Sequence, residues 1–186
     1  MDQQPEPKRR NPVRTRARIL ATAFDLFASR GYARTGMRDI AESADVATSL
    51  VVRYFGTKAA LFEEALINAL YTRGFFIREK HGFGEKMAEA VVNADDAQIP
   101  AMVMLAIADV ESREIAQRVT RGVIIKTLAE WLGPPDAAVR ALHMLILLNG
   151  FTLQTRHLMS DQVQPETIRW LAASLQAIVD EGLPQP

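Results

Sequence analysis

The chain has 186 residues, 48% of them hydrophobic and none of them cysteine, which excludes global disorder, a disulfide scaffold and thiolate chemistry. Its formal net charge is zero, yet residues 1–58 carry eleven Lys/Arg against six Asp/Glu, and residues 59–186 carry eleven against sixteen. A basic head on an acidic body suits a protein that meets a polyanion at one end.

Aromatic residues are only 7% of the chain, while Ala, Leu, Ile, Met and Arg are plentiful, a mixture that favours helices over strands. The first residues, MDQQPEPKRRNP, contain no apolar core of a signal peptide. The longest apolar stretch, residues 141–153, is interrupted by His143 and Asn149 and falls short of the ~20 residues of a membrane span. These features predict a soluble, cytoplasmic protein.

Residues 1–12 read as a flexible basic arm, polar and Pro-rich, with its charge in Lys8-Arg9-Arg10. Asn11-Pro12 supplies a helix start, with Asn as N-cap and Pro at the first helical position. The spacing of Ile19, Leu20, Ala23, Phe24, Phe27 and Ala28 predicts a helix to about residue 29 that stops at Gly31. Two short helices follow, over 37–44 and 48–54, separated by Asp45. Gly56-Thr57 breaks the chain, and Thr57 caps a long fourth helix through Leu61, Phe62, Ala65, Leu66 and Ala69. Further on, the pattern predicts a loop over 81–84, a short helix over 85–93, and a helix at Pro100 carrying Met102, Leu105, Ala106 and Val110. Helices over 113–132, 137–159 and 165–180 complete the chain, with a break at Gly133-Pro134-Pro135 and Asp136 as the cap that follows. No period-two run, internal repeat or sustained heptad occurs. The predicted fold is all-α with about nine or ten helices: a three-helix head over 13–58 and a larger helical body over 59–186.

Two short helices joined by a tight turn build a poor core but fit a DNA major groove, which is ~12 Å wide and admits one helix. In such a helix-turn-helix the second short helix enters the groove while the first crosses the backbone. Ala41 and Ala44 are small enough to let the second helix pack on the first. Asp45 tolerates the left-handed turn, though less well than Gly. Val46 plugs the core after the turn, and Leu50 or Val51 with Tyr54-Phe55 gives the second helix its apolar inner face.

The run Arg18-Ile19-Leu20, Phe27, Gly31-Tyr32, Thr35-Gly36-Met37-Arg38-Asp39-Ile40-Ala41, Ala44-Asp45-Val46, Tyr54-Phe55-Gly56-Thr57-Lys58 and Leu61-Phe62 resembles the N-terminal domain of the TetR (tetracycline-repressor-like) family. The likeness runs nearly end to end over about fifty residues, at matched spacings and without an insertion. It implies that Thr48, Ser49 and Arg53 touch bases, with Arg53 placed for a bidentate contact to guanine worth ~1–3 kcal/mol of discrimination. It further implies that Val52 meets a thymine methyl and that Tyr54 and Lys58 reach phosphates, Lys58 aided by a helix N-terminus. Gly36 and Arg38 complete the expected DNA-contacting set, and Lys8, Arg9 and Arg10 reach the backbone or a minor groove. Three residues depart from the family pattern. Asp45 stands where Gly is usual, Ala47 replaces a Ser or Thr N-cap at a loss of ~1 kcal/mol, and Gly36 replaces a hydroxyl residue.

For the body, the resemblance implies a ligand-controlled spacing of two DNA-reading heads. The expected dimer face comprises Leu142, Leu145, Ile146, Asn149, Gly150 and Leu153, with Ile168, Leu171, Leu175, Ile178 and Val179 on the last helix. The expected effector pocket draws on Phe75, Met87, Met102, Met104, Leu105, Thr127, Trp131, His143, Phe151 and Gln154. His81, His143 and His157 are scattered without metal-ligand spacing, and no GxSxG, P-loop or GxGxxG occurs. Neither an enzyme nor a metal or cofactor is expected. The reading is a homodimeric repressor that binds a palindromic operator on double-stranded DNA and is released by a small apolar effector. Two alternatives stand beside it: a DNA-binding regulator without a small-molecule ligand, and a helical interaction module without DNA activity.

Overall fold

The computed structural model describes residues 11–72, 79–92, 98–159 and 163–181, and those residues form ten α-helices and no strand. Residues 1–10 of the arm expected over 1–12, and Phe75, lie outside the described residues, while Asn11 and Pro12 cap and open the first helix. Helix α1 (Pro12–Arg30) begins where the sequence predicts, with Asn11 Oδ1 accepting from the amides of Val13 and Arg14 at 3.0 and 3.4 Å. Gly31, at φ 79°, ends it.

The head continues with α2 (Met37–Ser43), α3 (Thr48–Phe55) and the long α4 (Lys58–Thr72). Ile19, Phe27, Ile40, Val51 and Leu61 are fully buried and close its core, each large side chain contributing about 1.5–3 kcal/mol. Between Leu50 and Val51, it is Val51 that forms the inner face of α3, while Leu50 is half-buried. Ala41 and Ala44 are buried at the α2–α3 contact, and Asp45 takes the left-handed turn at φ 49°. Thr57 Oγ1 accepts the amide of Ala60 at 3.1 Å and caps α4.

The body comprises α5 (Phe83–Val92), α6 (Gln98–Ala106), α7 (Val110–Val119), α8 (Lys126–Leu132), α9 (Ala137–Thr152) and α10 (Pro165–Asp180). Helices α7 and α8 form one continuous rod through a π-helical turn at Thr120–Ile125, and α9 extends through another at Leu153–Leu158. Helix α5 lies along α10. Their closest approach is at Gly84, where a Cβ would stand only 2.0 Å from the carbonyl oxygen of Ala172. The head docks on the body through α1 against α6 and through α4 against α7.

Three boundaries differ from the sequence reading. Helix α5 starts at Phe83, inside the expected loop rather than after it, because the Phe83 ring is buried against Trp131, centroids 4.8 Å apart. Val110 opens α7 instead of ending the Pro100 helix: Asp109 caps α7 by accepting the Ser112 amide at 3.0 Å. Asp136 precedes α9 but caps nothing, since its backbone is left-handed at φ 47° and its side chain accepts no cap bond.

Helix α9 with its extension gives a 20-residue rod, Ala137–Arg156, long and apolar enough by length and composition to cross a membrane. In this fold only one side of it is core, and 39% of the apolar stretch is buried. Met144, Leu145, Leu148 and Phe151 face inward, and buried Arg140 donates to the carbonyls of Pro135 (2.9 Å), Ile178 (3.0 Å) and Gly133.

Candidate nucleic-acid interface

Helix α3 is held by its inner residues, Val51 and Phe55, so its opposite side is turned outward. There Ser49, Val52 and Arg53 are exposed, while Thr48 and Tyr54 are half-buried at the margins. The Arg53 guanidinium lies 5.6 Å from the centroid of the Tyr54 ring, a cation–π contact that leaves its fork of donors facing away from the core. Ser49, Val52 and Arg53 are therefore exposed together on the outer side of α3.

Helix α2 crosses this end of the head. Arg38 is exposed on its first turn, whereas the Gly36 amide donates to Asp39 Oδ2 at 2.8 Å and is already committed. Arg18 donates to the Asp45 carbonyl at 3.4 Å and ties α1 to the turn. Arg16 pairs with Glu64 and lies 5.0 Å from the centroid of the Phe55 ring, joining α1, α3 and α4. Lys58 occupies a position that the sequence does not reveal. Its Nζ donates to the carbonyl of Tyr32 at 3.2 Å and stands 3.9 Å from the centroid of the Tyr32 ring.

Of the residues expected to line an effector pocket, Met102 is fully buried and Phe151 and Met87 are buried, while Thr127 and Trp131 on α8 and Met104 on α6 are half-buried. Leu105 lies at the head–body seam, its Cβ 3.8 Å from where a Cβ on Gly31 would stand. His143 and Gln154 are exposed, which removes them from the interior of a single chain. Among the described residues, a small crevice of about 20 Å³ lies between Ile99, Pro100, Val103, Thr120, Ile124, Leu145, Leu148 and Asn149. A larger open cleft of about 680 Å³ lies between α5 and α10, around Lys80, His81, Arg169 and Gln176. None of the expected pocket residues lines either space.

The expected dimer-face residues divide in two. Leu142, Ile146, Gly150 and Leu153 face outward along α9, together with Val139. Leu145, Leu171, Leu175 and Val179 are buried within the chain, the α10 residues on the side that packs on α5, and Asn149, Ile168 and Ile178 are half-buried. On α10 the exposed residues include Trp170, Ala173 and Ala177, which an aliphatic stripe does not reveal because two of them are small.

Comparison with known proteins agrees with this geometry. Residues 19–65 match the family model of bacterial regulatory proteins of the tetR family, and residues 81–179 match the tetracyclin repressor-like C-terminal domain. The chain is 30% identical over 91 residues to the HTH-type transcriptional regulator LuxR of Vibrio harveyi, covering 49% of this chain and 44% of that one. It is 56% identical over 45 residues to the HTH-type transcriptional repressor Rv3405c of Mycobacterium tuberculosis, 24% of either chain. The alignments thus span less than half of these relatives' length. Among solved structures, a TetR-family regulator from Mesorhizobium loti superposes with a TM-score of 0.66 at 18% identity, over 95% of this chain and 98% of that one. GusR of Salmonella enterica gives 0.61 at 23% identity, over 95% and 99%. A transcriptional regulator from Saccharomonospora viridis in complex with choline gives 0.57 at 16% identity, over 94% and 100%. The two family models between them span most of the chain, and it belongs to the TetR family, a family of DNA-binding transcriptional regulators.

Proposed function

We propose that the protein is a repressor that binds a palindromic operator as a homodimer and is released by a small molecule. The observation that carries the DNA-binding part is the outward stripe of Ser49, Val52 and Arg53 on a short helix whose inner side is locked into the head core. In this reading Arg53 reads guanine, Ser49 and Thr48 hydrogen-bond to bases, and Val52 meets a thymine methyl. Tyr54, Lys58 and Arg38 take phosphates, with the Gly36 backbone at the same corner. The head is 13–58 in this division and the effector and dimerisation body is 59–186.

The dimer part rests on the exposed Leu142, Ile146 and Leu153, with Trp170 on the neighbouring helix. Monomeric proteins rarely leave such contiguous apolar surface in water, and a two-fold pairing of α9 and α10 buries it. In vitro selection from a random DNA pool, followed by sedimentation of the complex, tests both parts. The expected outcome is two chains on each selected duplex, with Ile146→Glu giving monomers that have lost most of their affinity. A wild-type chain that sediments as a monomer and selects no sequence would refute the proposal.

A regulator without a small-molecule ligand is the second reading, favoured by the small crevice among the described residues between Ile99, Thr120 and Leu148. Its volume of about 20 Å³ is far below the ~300–1,000 Å³ of a ligand pocket. Thermal unfolding with a panel of small apolar compounds separates the two readings. Release from the operator together with a raised midpoint supports the effector; no shift with any of them supports the second reading.

A further inference from the structure

We propose that Tyr32 is a positioning residue for DNA binding: it holds Lys58 at the phosphate-facing corner of the head, and Glu111 makes that position depend on body helix α7. The inference rests on the reading of Lys58 as a phosphate contact. Tyr32 is buried, with 3% exposure, just after α1. Its ring stacks on Phe27, centroids 5.8 Å apart, and meets the edge of Phe62 at 5.2 Å. Two aromatic neighbours fix the plane of the ring. Its outer face and its main-chain carbonyl then form a seat for the Lys58 ammonium, at 3.9 and 3.2 Å.

An ammonium has three donors and no acceptor. The carbonyl takes one and the ring face attracts the charge, which leaves donor capacity for a phosphate. A lysine fixed in this way loses less rotamer freedom on binding than a free one.

The far end of the same residue reaches the body. The Tyr32 hydroxyl donates to Glu111 Oε2, on the first turn of α7. Burial first, and then the Glu111 carboxylate, push the phenol well above its ordinary value, so it remains a donor throughout the working pH range. That turn is itself anchored, since the Ser112 hydroxyl donates to the Ala106 carbonyl at 2.9 Å. Farther along α7, Arg118 pairs with Glu63 of α4 at 2.8 Å. Helix α7 then enters the π-helical turn whose Thr120 and Ile124 border a small crevice of the body. A displacement of α7 therefore has a route to Lys58 through the buried Tyr32 side chain, beside the direct packing of α7 on α4. Packing alone does not require this arrangement: phenylalanine would fill the same space, and neither the hydroxyl nor the carboxylate serves the core.

The test is a double-mutant cycle on the full-length chain, read by anisotropy of a labelled duplex selected from a random pool. Tyr32→Phe and Glu111→Ala are each expected to weaken binding roughly three- to ten-fold, the range of a single hydrogen bond. Glu111→Gln, which keeps an acceptor, is expected to stay near wild type, and circular dichroism to report unchanged helix content. In a Lys58→Ala background the Glu111→Ala change should have no further effect. An undiminished Glu111→Ala effect in that background would overturn the coupling. If Lys58→Ala alters neither affinity nor salt dependence, the phosphate reading fails instead, and the proposal with it.

Discussion

Ala47 stands at the N-cap of α3 with the extended backbone of a capping residue, φ −68° and ψ 141°, but without a side chain to bond the amides behind it. A hydroxyl there needs no backbone adjustment. Ala47→Ser is therefore expected to raise the stability of the head by about 1 kcal/mol, visible as a higher unfolding midpoint in thermal denaturation. Arg140 presents the opposite case. It is buried with 3% exposure and serves three carbonyls, of Gly133, Pro135 and Ile178. Arg140→Met keeps most of the volume but leaves those acceptors unpaired, so a loss of about 3 kcal/mol in urea unfolding is expected. The Ala47 position was legible in the sequence as a missing cap; the Arg140 role was not. A lone arginine in an apolar helix has no local pattern, and its partners come from a loop and from the end of α10.

At the level of elements, the α5–α10 pair depends on one close approach. Because a Cβ on Gly84 would collide with the Ala172 backbone, Gly84→Ala is expected to force the two helices apart. The expected cost is several kcal/mol, in line with overpacking at a rigid contact, measured as a lowered denaturation midpoint with a helical far-UV spectrum retained. The head helices were legible because each carries its own signals: Asn11-Pro12, Gly31, Asp45 and Gly56-Thr57 all sit at the observed boundaries. The start of α5 was not, since Gly82-Phe83-Gly84 reads locally as a loop and only Trp131, far along the chain, buries Phe83. The π-helical turns at Thr120–Ile125 and Leu153–Leu158 likewise have no periodic signature within a long apolar run. For the site, the exposed face of α3 followed from helical spacing. The seat of Lys58 did not, because Tyr32 and Lys58 meet only in the folded head. An effector pocket carries no sharper signal in the sequence, because apolar residues with occasional polar ones describe any helical core.

Across the whole molecule, the neutral charge conceals a basic head and an acidic body. Such a distribution orients the heads toward DNA and keeps the body off it. Pairing through α9 would present two copies of α3, and a two-fold pair reads half-sites about 34 Å apart. If α3 reads sequence while the rest of the head supplies charge, binding across a salt series separates the two contributions. The selected duplex and a shuffled version of it are titrated with wild type, Arg53→Ala and Lys58→Ala. Wild type should prefer the selected duplex. Arg53→Ala should lose about 1–3 kcal/mol of that preference, whereas Lys58→Ala should weaken both duplexes alike and flatten the salt slope by about one. Equal affinity of the wild type for the two duplexes, or the same loss from both substitutions, would contradict that division of roles.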